Sequence, residues 1–192
     1  MRELHGRVLE VEPQVGFLTR AEGAVGDGCD RAVGEGDQRG RDVLDFNRAV
    51  QRGGDGAHLE NRRIRVSNRR GLEGALIGTG FPYRANTEYL DAYMAMLKDV
   101  MLATAGVRRP GSAALDLAYV AAGRTDGFFE IGLGPWDTAA GSLLIEEAGG
   151  RIGTLTGGEY RQGGNVIAGS PKVYEGLVAL LAPHVPAKLA DE

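Results

Sequence analysis

Three groups of residues in this chain have types and spacing that could do chemistry. Trp136–Asp137–Thr138–Ala139–Ala140–Gly141 runs on to Glu146–Glu147–Ala148–Gly149–Gly150. The pattern predicts a helix over Thr138–Ala148 stopped by the glycine pair, which puts Asp137 at the helix mouth. There its carboxylate faces unpaired backbone N–H groups and the positive end of the helix dipole, so it stays ionised and keeps a fixed direction. Ala139, Ala140 and Gly141 are small enough for this first turn to approach another backbone closely. A plain N-cap aspartate after a packed tryptophan would look the same. Glu130 stands seven residues upstream of Asp137, inside GFFEIGL, and by itself reads as an exposed strand carboxylate. Pro110–Gly111–Ser112 ahead of Ala113 reads as a helix start. Asp116 then reads as a structural helix residue, and Arg108–Arg109 as a solvated pair in preference to a partner contact.

The elements that must carry these residues follow from punctuation and period. Gly56–Asn61 reads as a turn feeding a strand at Ile64–Val66, and Gly74–Gly80 as a short apolar strand with a glycine exit. Thr87 can cap a helix running to about Ala105, with Leu90, Met94, Leu97 and Met101 on one stripe. Ser112 caps a second helix, Ala113–Ala122, and Gly127–Leu133 is a strand. Asn165–Ala168 is a further strand. Ser170 followed by Pro171 opens a helix to about Ala182. Strands alternating with helices indicate a layered α/β domain.

Composition narrows the function classes. With 22 Lys+Arg against 26 Asp+Glu the formal charge is -4, which speaks against nucleic-acid binding by bulk electrostatics. A single cysteine, Cys29, excludes an internal disulfide framework and any multi-cysteine metal site. No apolar run reaches the roughly 18 residues of a membrane span and no signal-peptide core is seen, so the default expectation is a cytoplasmic protein without membrane contact. The chain is uneven, however. Of 19 arginines 13 lie in residues 1–70, where there is no lysine, and Glu22–Arg41 interleaves glycine with charge. No apolar period survives there to offset the entropy of ordering, so residues 1–52 are expected to be poorly ordered, apart from a short helix at Val43–Val50. The folded domain is expected over residues 53–192.

The string WDTAAG followed by EEAGG resembles the C-terminal signature of the inositol monophosphatase family. Residues 108–150 (RRPGSAALDLAYVAAGRTDGFFEIGLGPWDTAAGSLLIEEAGG) look like one continuous block of it, and NRRIRVSNR (61–69), GTGFPYR (78–84) and NVIAGSP (165–171) also fit. The resemblance implies a layered α/β/α sandwich of the inositol monophosphatase type. It also implies a Mg²⁺-dependent phosphomonoesterase acting on inositol-1-phosphate or a related sugar phosphate, with Mg²⁺ activating water and holding the phosphate. Carried over position by position, it makes Asp137 a metal ligand that also contacts substrate. Glu130 becomes the acceptor of a sugar or inositol hydroxyl, and Gly111, Ser112 and Ala113 the loop whose backbone lines the substrate pocket. Family members are commonly homodimers. The resemblance to bacterial members also implies an association with transcription machinery independent of phosphatase activity, for which Arg108–Arg109 are the candidate contacts.

The departures are specific. The family's Gly-Glu-Glu metal motif has no counterpart upstream, and its Asp-Pro-[Leu/Ile]-Asp-Gly-Thr motif is absent, since no Asp-Pro dipeptide occurs in the chain. Glu146–Glu147 belongs to the helix after Asp137 and is no substitute. One aspartate cannot hold two Mg²⁺ ions, which dehydrate reluctantly and need several oxygen ligands. The expected result is an incomplete fold of the family type, truncated in its catalytic half, with the substrate-pocket half retained and activity near background. Residues 1–52 then read as a product of a shifted reading frame, or as a replacement lobe. The alternatives for the whole chain are a non-catalytic interaction protein and a non-functional remnant.

Overall fold

The structure, a computed structural model, describes residues 49–52, 56–82, 84–161 and 163–190. The readings given for residues 1–48 lie outside it. The expected Val43–Val50 helix falls mostly there, but its last two residues are in a strand, β1 (Ala49–Arg52), which pairs antiparallel with β2 (Gly56–Leu59). Glu60 and Asn61 turn with φ 49° and 63°, the positive values a two-residue hairpin turn demands, and lead into β3 (Arg62–Arg63). The strand expected at Ile64–Val66 does not form. That segment is tied instead by single bonds, Ile64 N–H to Ala57 O at 2.9 Å and Val66 N–H to Ala148 O at 3.2 Å.

The second sheet carries the site. Its five strands are β4 (Leu76–Thr79), β5 (Gly106–Arg108), β6 (Gly127–Leu133), β7 (Arg151–Gly153) and β8 (Gly164–Gly169). They lie in the order β5-β4-β6-β8-β7, with β4 parallel to both β5 and β6, and β8 antiparallel to both β6 and β7. Strand β6 shows how the layers arise. Phe129 and Ile131 face one core, packed with helix α1 (Leu90–Ala103) and helix α4 (Pro171–Leu181). Phe128 faces the other, packed with α2 (Ala113–Ala121) and α3 (Pro135–Glu147). Alternate side chains therefore bury both faces, and the layered α/β/α sandwich expected from the sequence is present.

Several local readings are corrected by the structure. On α1 the expected stripe turns outward: Leu90 is 44%, Met94 50% and Met101 61% exposed, and only Leu97 touches the core. Tyr93, Met96 and Val100 are buried in its place. The helix is apolar on two adjacent faces, so its period alone does not choose between them. Tertiary contacts decide, with Tyr93 stacked on Phe129 at 5.7 Å and its hydroxyl 2.9 Å from Thr79 Oγ1. The helix also starts later than expected, because Thr87 lies in a 3-10 turn over Arg84–Tyr89. Helix α3 begins earlier than expected, at Pro135, so Asp137 sits in its first turn and Trp136 is 72% exposed, not packed. Where α2 and α3 cross, a Cβ at Gly141 would lie 2.5 Å from Leu117 Cβ. The close approach expected of that turn is real and needs glycine. Finally, Ser170 precedes α4 as expected, but its side chain makes no capping bond and its hydroxyl is buried without a partner among the described residues.

Candidate functional site

The candidate residues gather beyond the C-terminal ends of the parallel strands β4 and β6, the place where open α/β sheets offer a crevice. Glu130 rides on β6, opposite Val166 of β8. Between Glu130 and Leu133 the pairing shifts register, and Gly132 takes φ 74° while its N–H donates to Asn165 Oδ1 at 3.1 Å. Such a bulge bends the strand end and re-aims the residues after it. The chain then turns through Gly134 into α3. The carboxylate of Asp137 accepts the Gly134 N–H at 2.9 Å, while its own N–H donates to Gly134 O at 3.0 Å. These reciprocal bonds fix the Asp137 side chain against the α3 N-terminus. The sequence placed Asp137 at the helix mouth; the structure makes it the third helical residue, bonded back to the cap.

On the neighbouring side, Gly111 turns with φ 96°, Ser112 precedes α2, and Ala113 is buried at the helix start. One turn into α2 stands Asp116, only 2% exposed. It faces β4, where a Cβ on Gly78 would lie 3.6 Å from Asp116 Oδ1. At the next position on the same side of that strand, the Glu130 carboxylate occupies the space that a Cβ on Gly80 would fill. The two glycines thus make room for two acidic side chains.

Electrostatics ties these groups together. Burial first and the negative charge of Glu130 second push the Asp116 carboxyl up to about 7, with Arg109 working in the opposite direction. Glu130 is likewise pushed up to about 7, by burial first and by Asp137 second, with Arg109 again opposing. Arg109 is exposed, but it is not simply a solvated charge. Its guanidinium lies 5.3 Å from the centre of the Phe81 ring, and its charge reaches both acids. Arg108, on the edge strand β5, is exposed as expected.

Sequence reasoning named Gly111, Ser112, Ala113, Glu130 and Asp137 but passed over Asp116, Gly80 and the role of Arg109. A signal for Asp116 did exist, since it is the one charged residue in AALDLAYVA, a helix apolar on every side. Nothing local marks Gly80, because the side chain that needs its space comes from position 130.

The donor chemistry can be tested against a Mg²⁺ ion. Among the described residues no group of three or more His, Cys, Asp or Glu side chains is arranged to hold a metal. One Asp137 oxygen is already engaged by Gly134, and Glu130 is half-neutral near pH 7. Mg²⁺ asks for near-octahedral oxygen coordination with charged ligands, and these residues by themselves do not meet it. A separate polar cavity of about 610 Å³ lies at the opposite end of the sheet, lined by Ser67, Arg69, Arg70, Glu73 and Asp126 among others. Two of its charges are paired, Arg69 Nε with Asp126 Oδ1 at 3.2 Å. No helix of the described residues is long and apolar enough to cross a membrane.

Comparison with known proteins places the chain among relatives of known family. A profile of the inositol monophosphatase family matches residues 46–186. The Nus factor SuhB of Pseudomonas aeruginosa is 51% identical over 138 residues, which are 71% of this chain and 51% of that protein. The Nus factor SuhB of Escherichia coli strain K12 is 51% identical over 127 residues, 66% of this chain and 47% of that protein. The crystal structure of extragenic suppressor protein suhB from Bartonella henselae superposes with a TM-score of 0.63 at 45% identity, covering 70% of this chain and 53% of that one. An inositol monophosphatase from Anabaena gives a TM-score of 0.62 at 36% identity, covering 73% and 59%. The chain spans about half the length of the curated relatives it matches. With the matched region running through both core layers and every candidate site residue, the chain belongs to the inositol monophosphatase family.

Proposed function

We propose that this chain carries the polyol-recognising side of an inositol monophosphatase pocket, and that it hydrolyses phosphate monoesters at no more than background rate by itself. In this reading Glu130 accepts a ring hydroxyl of inositol-1-phosphate or a related sugar phosphate. The backbone of Gly111, Ser112 and Ala113 lines the pocket, and Asp137 holds a fixed carboxylate beside it. The observation that carries the reading is ligand number: Glu130 and Asp137 lie together at the strand ends, and no third donor joins them among the described residues to make a metal centre. A phosphatase assay on inositol-1-phosphate with Mg²⁺ tests it. The expected result is turnover indistinguishable between the native chain and Asp137→Asn; robust turnover abolished by Asp137→Asn would overturn it.

A second reading rests on the relatives named Nus factor SuhB and on the exposed Arg108–Arg109 pair. The chain then acts in the cytoplasm as a non-catalytic partner of transcription machinery, as a monomer or homodimer. Pull-down with RNA polymerase and elongation factors tests this. Retention that weakens when both arginines are reversed to glutamate supports it, and no retention by the native chain refutes it.

A further inference from the structure

The arrangement around Glu130 points beyond the residues that touch a substrate. Three observations bear on how that carboxylate is held. It lies in the volume where any side chain at Gly80 would have to be. Asp116 lies against Gly78, two positions before Gly80, buried on α2 with 2% exposure. Arg109, the cation whose charge reaches both acids, lies on the exposed side, over Phe81.

We propose that Gly80 and Asp116 are positioning residues for Glu130, Gly80 by vacating the seat its carboxylate occupies and Asp116 by placing negative charge near that seat. The proposal rests on the reading of Glu130 as the hydroxyl acceptor. The reasoning is steric and electrostatic. A carboxylate with a bare backbone beneath it can lie flat at the exit of β4, whereas a single methyl group there forces it to swing out. The charge of Asp116 repels it and that of Arg109 attracts it, which favours the seat over Gly80 against a position closer to Asp116. The charges coupled to Glu130 are Asp116 from α2, Asp137 from α3 and Arg109 from the loop before α2. Strand β4 contributes only glycine and Thr79 at this end, and the Thr79 hydroxyl is taken up by Phe129 O at 2.8 Å. Gly80 itself has no left-handed φ, so its backbone accepts alanine and the effect of a methyl group is local.

The test labels glutamate carboxyl carbons with ¹³C in the full chain and assigns the Glu130 resonance by its loss in Glu130→Gln. Native protein, Gly80→Ala and Asp116→Asn are each titrated with pH and with myo-inositol as the probe. Gly80→Ala is expected to lose the nuclear Overhauser contact between Glu130 and residue 80's backbone, and to weaken the myo-inositol response at least tenfold. In Asp116→Asn, which keeps shape and loses charge, the Glu130 titration midpoint is expected to fall, because the mutual repulsion of the two acids is removed. A purely structural role for either residue would lower thermal stability and leave the Glu130 resonance where it is. That result in both variants overturns the proposal. If the native Glu130 resonance ignores myo-inositol while Gly80→Ala still loses the contact to residue 80 and Asp116→Asn still lowers the Glu130 midpoint, the seat is upheld and the hydroxyl-acceptor reading is refuted.

Discussion

Replacing Asp116 by asparagine should make the protein more stable at alkaline pH and leave it nearly unchanged in acid. The carboxyl is raised from an ordinary 3.8 to about 7, so the folded state holds its proton far more tightly than the unfolded chain does. Its stabilising contribution is therefore complete below about pH 4 and is lost as pH rises through 7. Each tenfold change in proton affinity is about 1.4 kcal/mol. A rise of roughly a thousandfold corresponds to about 4 kcal/mol, part of which is repulsion shared with Glu130, so about 2–4 kcal/mol belongs to Asp116 alone. Glu130, raised from 4.5 to about 7, acts in the same direction and survives in the variant. Urea unfolding of native protein and Asp116→Asn from about pH 4 to about pH 9 measures the difference directly. The expected curves meet in acid and diverge by about 2–4 kcal/mol above pH 8, with the variant the more stable. Parallel curves, or a variant equally destabilised at every pH, would refute the placement of Asp116 as a buried acid beside Glu130.

Other consequences are structural. Gly141→Val inserts a branched side chain where even a Cβ comes within 2.5 Å of Leu117 Cβ, and should cost about 1–3 kcal/mol by thermal unfolding through separation of α2 from α3. Asp126→Ala removes the acceptor of the Leu76 N–H (2.7 Å) and the partner of Arg69 Nε (3.2 Å) at the start of β4. It should destabilise by about 1–3 kcal/mol, and Asp126→Asn by less, since an amide oxygen still accepts from Leu76.

Most of the sheet was legible because its signals are local. Glycine and proline bound Gly127–Leu133 and Pro171–Leu181, and the observed elements start or stop within a residue or two of the expected places. Strands β5 and β7 escaped notice because three residues are too few to show alternation, and they exist only by pairing with β4 and β8. The outward turn of Leu90 and Met94 shows the same limit on α1, since which apolar face is buried depends on where Phe129 and Thr79 stand. At the candidate site, the carboxylates at 130 and 137 were singled out by resemblance. Asp116 reads as acid in an apolar helix but says nothing of Glu130 until β4 brings them together. Gly80 is meaningful only through a side chain 50 positions away.

Magnesium titration calorimetry on the whole chain, native and Asp137→Asn, asks most directly whether these acids are sufficient to bind the ion. Heats that never saturate in the millimolar range, and that are the same for both proteins, are the predicted outcome. Saturable uptake of two ions per chain that disappears with Asp137→Asn would contradict the account.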